Sequence, residues 1–252
     1  MKYFKDFQDI FYNFGNEARP TLVQNISRYV DVIDQIKDDI SFLTFYNIQE
    51  GYRPDQVSVQ LYDTPLYYWT FYLLNDNIRQ QGWPLTNIEF QNYIKKIFPN
   101  TTVTTRENIT TKFKVGQTIT GNTSGVSGKI IRRNPDLGQI IVEGKPSFRI
   151  LGETFTSTNA SGTLESIIAV SSSDEHKAAN YYTDTTGICD LGIDSDITSP
   201  TYGGHLPPGA LKNEITNEQA YYNVNESLRQ IRVIRPNLIN NVVSGYKKAI
   251  RE

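Results

Sequence analysis

The apolar residues of this chain follow several periods in turn, and the changes of period divide it. Residues 1–20 lack a period and carry Gly15 and Pro20, the pattern of an extended N-terminal arm. From Thr21 to Ile40 apolar side chains recur at Leu22, Ile26, Tyr29, Val30, Ile33, Ile36 and Ile40, which predicts one face of a helix. Leu43, Phe45, Tyr46 and Ile48 form a β-prone run closed by Gly51. A helical hairpin is expected next. Pro54 suits a first helical position with Val57 and Leu61 on one face, and Asp63 or Thr64 can cap a second helix that begins near Pro65. Gly82-Trp83-Pro84 breaks that pattern. Thr86-Asn87-Ile88-Glu89 is a capping-box sequence opening a helix through Phe90, Tyr93, Ile94 and Ile97, which Pro99 ends.

The composition then changes. Residues 103–170 are rich in Thr, Ser, Gly and Ile with strand-like alternation, and they contain a repeat. Phe113-Lys114-Val115-Gly116-Gln117-Thr118-Ile119-Thr120 is echoed by Phe148-Arg149-Ile150-Leu151-Gly152-Glu153-Thr154-Phe155-Thr156, one residue longer. Both copies lead through Ser-Gly (Ser124-Gly125, Ser161-Gly162) to an isoleucine, Ile130 and Ile167. Two copies are too few for a solenoid, so a small β-sandwich or barrel of two similar halves is expected.

Residues 171–215 read as an irregular connecting segment, with Asp174 to Tyr182 helical and a long excursion marked by Gly203-Gly204 and Pro207-Pro208-Gly209. Thr216-Asn217-Glu218-Gln219 offers a second capping box. Arg229 to Ile234 alternates as a strand. A last helix starts near Pro236 with Leu238, Ile239, Val242, Val243, Tyr246 and Ile250 along one side. The fold class expected is α+β: a helical wedge-like domain (21–102), interrupted by an inserted all-β module (103–170) and closed by a C-terminal strand and helix (216–252).

Composition adds mostly exclusions. Among 252 residues, 25 Lys and Arg against 27 Asp and Glu leave a net charge of -2, so no chain-wide field pulls toward nucleic acid or an anionic membrane. Cys189 is the only cysteine, which rules out an intrachain disulfide and a Cys-rich zinc site. No run approaches the length of a membrane span and no signal peptide is read, so a soluble protein made in a reducing cytoplasm is expected. His176 and His205 lack metal-ligand spacing, and nucleotide-binding loops and nucleophile elbows are missing. No catalytic residue, cofactor or metal is expected. Tyr62, Tyr67, Tyr68, Trp69, Phe71 and Tyr72 are six aromatics in eleven positions, a cluster that suits an interface or a small aromatic-filled core equally.

Two stretches carry a likeness. Arg53-Pro54, Tyr62-x-x-Pro65, Trp69 and Asn75-Asp76 are followed far downstream by Asn225-Glu226-x-x-Arg229-x-Ile231-x-Val233-Ile234-x-Pro236. In this order they resemble the baseplate wedge subunit 53 family of T-even-type contractile-tailed phages, over about residues 1–98 and 216–252. The segment Tyr46–Ile78 also looks like a LysM-type strand-helix-helix-strand unit, although its usual Gly-Asp-Thr is replaced by Gly51-Tyr52-Arg53-Pro54-Asp55. The resemblance implies a non-enzymatic virion protein of the tail baseplate, assembled in the host cytoplasm and present in several copies. It would bind the core bundle and sheath-initiator-type subunits and join neighbouring wedges, without nucleic acid or membrane. Arg53, Pro54, Tyr62, Tyr68, Trp69, Tyr72, Arg229, Arg232 and Arg235 are its interface candidates. The alternative is a LysM-type module binding peptidoglycan or chitin in a groove beside Gly51–Pro54.

Overall fold

The computed structural model describes residues 9–13, 15, 20–25, 37, 40–149, 151–184, 187–189 and 213–251. The fold is α+β, and the chain divides into two units: residues 1–87 with 224–252, and residues 88–223. Among the described residues no helix is long and apolar enough to cross a membrane.

In the first unit, strands β1 (Asp9–Tyr12) and β2 (Thr21–Gln24) form an antiparallel hairpin. The helix expected from Thr21 therefore begins as a strand, because Thr21, Leu22 and Val23 pair with the apolar and aromatic run Ile10-Phe11-Tyr12. Of the rest of that expected helix, Lys37 is helical and Ile40 opens a 3-10 turn (Ile40–Phe42), while residues 26–36, 38 and 39, like most of the N-terminal arm, lie outside the described residues. Strand β3 (Leu43–Asn47) leads into helix α1 (Pro54–Tyr62), with Pro54 at its first turn. Asp63 closes α1 in the left-handed conformation (φ 56°), a backbone state that Asp tolerates better than most residues. Thr64 caps a 3-10 turn (Pro65–Tyr67), followed by the short helices α2 (Trp69–Leu74) and α3 (Asp76–Gln81).

The LysM-type likeness implies a second strand within Tyr46–Ile78. Residues 48–78 hold no strand, and the strand beside β3 is β13 (Gln230–Ile234), which pairs with it antiparallel from the other end of the chain. The last helix, α6 (Ile239–Arg251), begins one turn beyond Pro236. Val57, Phe71, Ile78, Ile231 and Val233 are completely buried, and Ile239, Val243 and Tyr246 bring the apolar stripe of α6 onto the same core.

The second unit carries helices α4 (Asn87–Ile97) and α5 (Asn217–Ser227), the first starting directly after its predicted Thr86 cap and the second at its predicted capping box. Phe90 meets Tyr222, and Phe98 meets Tyr221, edge to face. Six antiparallel strands close into a barrel in the cyclic order β4-β7-β6-β5-β8-β9: β4 (Thr101–Thr105), β5 (Thr118–Gly121), β6 (Ser127–Asn134), β7 (Gln139–Val142), β8 (Thr154–Thr158) and β9 (Leu164–Asp174). Of the two architectures open to the sequence, this is the barrel, and it extends past both expected bounds, from Thr101 to Asp174. The cyclic order is symmetric about the β5–β8 seam, which relates β5 to β8 and β6 to β9. The repeat obeys that symmetry. Phe113 and Phe148, Ile119 and Phe155, and Ile130 and Ile167 are buried pairs inside the barrel.

Asp174 to Tyr182, expected to be helical, is a 3-10 turn (Glu175–Lys177) and then strand β10 (Ala179–Asp184). Tyr181, Tyr182 and Thr183 favour the pleat, and β11 (Gly187–Cys189) and β12 (Asn213–Thr216) flank β10 to satisfy its backbone. The excursion expected over 183–215 is thus strand wherever it is described, and the remainder lies outside the described residues.

Buried carboxylates fix the barrel's turns. Glu153 is completely buried, and it accepts from the backbone N–H groups of Thr123 (3.0 Å), Ser124 (2.6 Å) and Arg149 (2.9 Å). Burial works against its ionisation, but these donors and the Ser124 hydroxyl outweigh it and hold the carboxyl below the usual range. Gly121 is required beside it, since a Cβ there would stand 2.4 Å from Glu153 Oε1. A depressed carboxyl stabilises the fold fully above its unfolded pKa, and that contribution fades as pH falls through the folded value. Glu153→Gln is therefore expected to destabilise the barrel by about 1–3 kcal/mol at neutral pH. In urea titrations the deficit should shrink as pH falls below the usual carboxylate range and the native carboxylate is itself protonated.

Candidate functional site

The two resemblance-bearing stretches meet in the first unit, and asparagines join them. Asn75, just past α2, uses its side-chain amide as a peptide group. Its Oδ1 accepts from Arg232 N–H (2.8 Å), and its Nδ2 donates to Arg232 C=O (2.9 Å) and to Phe71 C=O (2.8 Å). Asn225 repeats the device. Its Oδ1 accepts from Leu85 N–H (2.8 Å) and its Nδ2 donates to Leu85 C=O (3.1 Å). Both side chains are buried, so each replaces water that the backbone would otherwise lose. Tyr62 adds a third tie by donating its phenol to Ile234 C=O at 3.0 Å.

The Asn75 clamp determines which edge of the strand pair stays open. Arg232 turns its N–H and C=O outward to Asn75, so β13 is closed on its far side. Arg232 stands opposite Phe45 in the register, while the neighbouring couples Thr44–Val233 and Tyr46–Ile231 face each other with their backbone groups. By antiparallel alternation, Phe45 must then point its own N–H and C=O away from β13. No described strand pairs with that edge of β3. The Phe45 ring is 68% exposed, on the same sheet face as Arg232.

The charge beside this face is positive. Asp76 is bonded by Lys37 at 2.8 Å and by Arg79 at 2.7 Å. Lys37 foremost, then Arg79 and Arg232, hold its carboxyl below the usual range. The surface thus combines a β3 edge that no described strand pairs, an exposed ring and the cationic Arg232 and Lys37 side chains, which suits an extended acidic segment.

The sequence-predicted candidates distribute unevenly. Tyr62 and Trp69 are core residues, stacked against Phe71 and Tyr246 respectively, so they are corrected from interface to core. Tyr72 is half-buried against Trp83, and Tyr68 remains on the surface. The aromatic cluster is mostly filler, because short helices leave gaps that rings fill. Arg53 is exposed but forks onto Asp55, and Pro54 beside it starts α1. Arg229 bonds Glu226 at 2.7 Å and reaches Leu85 C=O, so it belongs to the Asn225 joint. Arg235 donates from Nε to Leu43 C=O at 3.2 Å. Arg232 lies on the Phe45 face of the sheet, and Arg235 caps the outward Leu43 C=O at one end of the same β3 edge. Phe45, the residue that marks the edge, was read from sequence only as one of a strand run. The available signal was that it alternates with Tyr46, whose side faces the core.

Beside Gly51–Pro54, where the LysM-type alternative expects a glycan groove, the exposed loop is tied to residues 83–87. Trp83 Nε1 donates to Tyr52 C=O at 2.7 Å, and Glu50 accepts from the Asn87 N–H and Nδ2. His176 is buried beside Asp174, and burial lowers its pKa. Among the described residues no cluster of His, Cys, Asp or Glu could hold a metal ion. His205 lies outside them. No protein-family model matches this chain, and no curated protein matches it.

Two substitutions separate clamp from edge. Asn75→Ala strips partners from the N–H and C=O of Arg232 and is expected to cost about 2–4 kcal/mol. Phe45→Ser changes an exposed ring and should stay within about 0.5 kcal/mol of the parent. Guanidinium unfolding of both variants checks the contrast, and equal losses would contradict the assignment.

Proposed function

We propose that this protein is a non-enzymatic structural subunit of a contractile-tail baseplate, joining wedge proteins to one another. The observation that carries this reading is the convergence of the two family-like stretches. Asn75 and Asn225, which belong to the wedge-like stretches, are the residues that tie the early and late parts of the chain into one unit. A signature made of joints is what an assembly part needs, because its task is to hold a surface in shape rather than to turn over a substrate.

In this proposal the docking surface is the β3 edge. A neighbouring wedge protein supplies an extended segment that adds a strand beside Leu43–Asn47. Its backbone bonds the Phe45 N–H and C=O, a side chain covers the Phe45 ring, and acidic residues face Arg232 and Lys37. The clamped edge of β13 is closed to the same mode, so the addition is one-sided and cannot run on into a fibre. The protein then acts in several copies around the baseplate, in the virion, without nucleic acid or membrane among its partners.

The experiment is capture of tail proteins encoded beside this chain, with the parent and two edge variants. Phe45→Pro removes a donor that faces outward, which strands tolerate at an edge. Phe45→Ser keeps the donor and removes the ring. Capture of a wedge protein by the parent, abolished by Phe45→Pro and weakened at least about tenfold by Phe45→Ser, is the expected result. Undiminished capture by two folded variants would reject the β3 edge, and absence of any captured tail protein would reject the wedge reading.

A further inference from the structure

The barrel carries a cleft that the docking reading does not use. It lies on the outside of β5 and β8, has a volume of about 780 Å³, and is walled by the loop before β5 and the β8–β9 turn. Its floor is set by the strand alternation. Ile119 and Phe155 point into the core, so Thr118, Thr120, Thr156 and Thr158 point out. The register aligns them across the barrel wall. Thr120 stands beside Ser127 on β6 and Thr156 on β8, and Thr156 stands beside Ser166 on β9. Strands lie about 4.8 Å apart, so this is a transverse ladder of hydroxyls at nearly the length of one pyranose ring. A second rung runs from Lys129 through Thr118 toward Thr158 and Leu164.

The inner rung is already bonded, and the outer rung is not. Thr120 and Ser127 hydroxyls meet at 2.8 Å, and Thr156 donates to Asn122 Oδ1 at 3.1 Å. Thr118 and Thr158 are exposed, and among the described residues their hydroxyls carry no protein hydrogen bond. In the wall, Glu165 accepts from Phe113 N–H (2.8 Å), Asn159 Nδ2 (3.2 Å) and Gln117 Nε2 (3.4 Å). That arrangement commits the Gln117 amide and leaves its Oε1 buried without a partner. Val115 and Leu164, 60% and 68% exposed, border the cleft with apolar surface.

We infer that this cleft binds a neutral oligosaccharide laid across β5 and β8. Sugar rings offer hydroxyls that both donate and accept, matching free threonine hydroxyls, and a turn of the Gln117 amide brings its orphan acceptor to one of them. Their C–H faces match the threonine methyls, Val115 and Leu164. A polyanion fits worse. The lining holds one carboxylate, Glu165, against one ammonium, Lys114, so it offers no excess of positive charge to a polyanion. An apolar ligand fits worse again, since it would strand the hydroxyls without water. This site involves neither the β3 edge nor the loop at Gly51–Pro54, and it stands whether or not the docking reading holds.

The test is titration of the full chain with maltotriose and with triacetylchitotriose, each to about 10 mM, followed by proton–nitrogen NMR correlation spectra. Inorganic phosphate serves as the anionic control. The expected result is saturable shifts at Gln117, Thr118 and Thr158 with one of the sugars, at roughly millimolar affinity. The Thr118→Val/Thr158→Val variant, nearly the same shape, should bind at least about tenfold more weakly with unchanged melting. Thr158→Val alone, at a strand end, gives the same reading should the pair disturb folding. No shift around the cleft with either sugar overturns the proposal. So does sugar binding that survives both variants, or a response to phosphate alone.

Discussion

The first unit depends on one side chain behaving as backbone. A two-stranded sheet has two exposed edges and little independent stability, since half of its peptide groups face outward. Asn75 removes one edge. Its amide matches a peptide unit in donor and acceptor, so Arg232 is bonded as though a third strand lay beside β13. It also fixes the approach of α2, because the same Nδ2 is anchored to Phe71 C=O inside the core. Aspartate could not replace it, having no donor for the two carbonyls. Asn225 applies the same chemistry to Leu85, which places the point where the chain leaves the unit next to the point where it returns.

That joint gives a physical account of the inserted barrel. An insertion costs little when its two ends are already held together, because closure entropy grows only slowly with loop length. Here the closure is made by hydrogen bonds of residues outside the barrel. The barrel in turn closes on itself, through strand pairing right around the wall and through Glu153 and Glu165 bonded to its turns. Neither set of bonds draws on the other.

What was legible in the sequence follows the same division between local and distant causes. Caps, prolines and the 3.6-residue stripe placed α1, α4, α5 and α6 within a turn, since these signals act over a few residues. The Phe113 and Phe148 repeat revealed two similar halves and their buried isoleucines. The misreadings arose where distant partners decide. Asp174 to Tyr182 has no strong breaker, yet β12 draws it into a sheet. The LysM-type likeness implies a closing strand inside Tyr46–Ile78, whereas the strand beside β3 comes from residues 230–234. Arg229 and Arg53 looked free because an intrachain carboxylate three or two residues away is indistinguishable in sequence from one on a partner. No sequence signal says that the Phe45 edge is open, because its openness is produced by a clamp on the opposite strand.

The roles of the signature residues bear on how they should be weighed as functional markers. Asn75, Tyr62 and Asn225 recommend themselves by pattern, and each spends its polar group on backbone of its own unit. A substitution at any of them would impair docking indirectly, by releasing β13 or shifting the core, and would mimic the loss of a contact residue. Phe45 and Thr118 are the opposite case. Each is dispensable to packing, and each owes its direction to a neighbour packed on the core, Tyr46 in one strand and Ile119 in the other. A residue whose exposure is imposed by the fold, rather than tolerated by it, is the better place to look for recognition. By that criterion the β3 edge and the threonine rungs stand ahead of the arginines and aromatics that dominate the sequence signature.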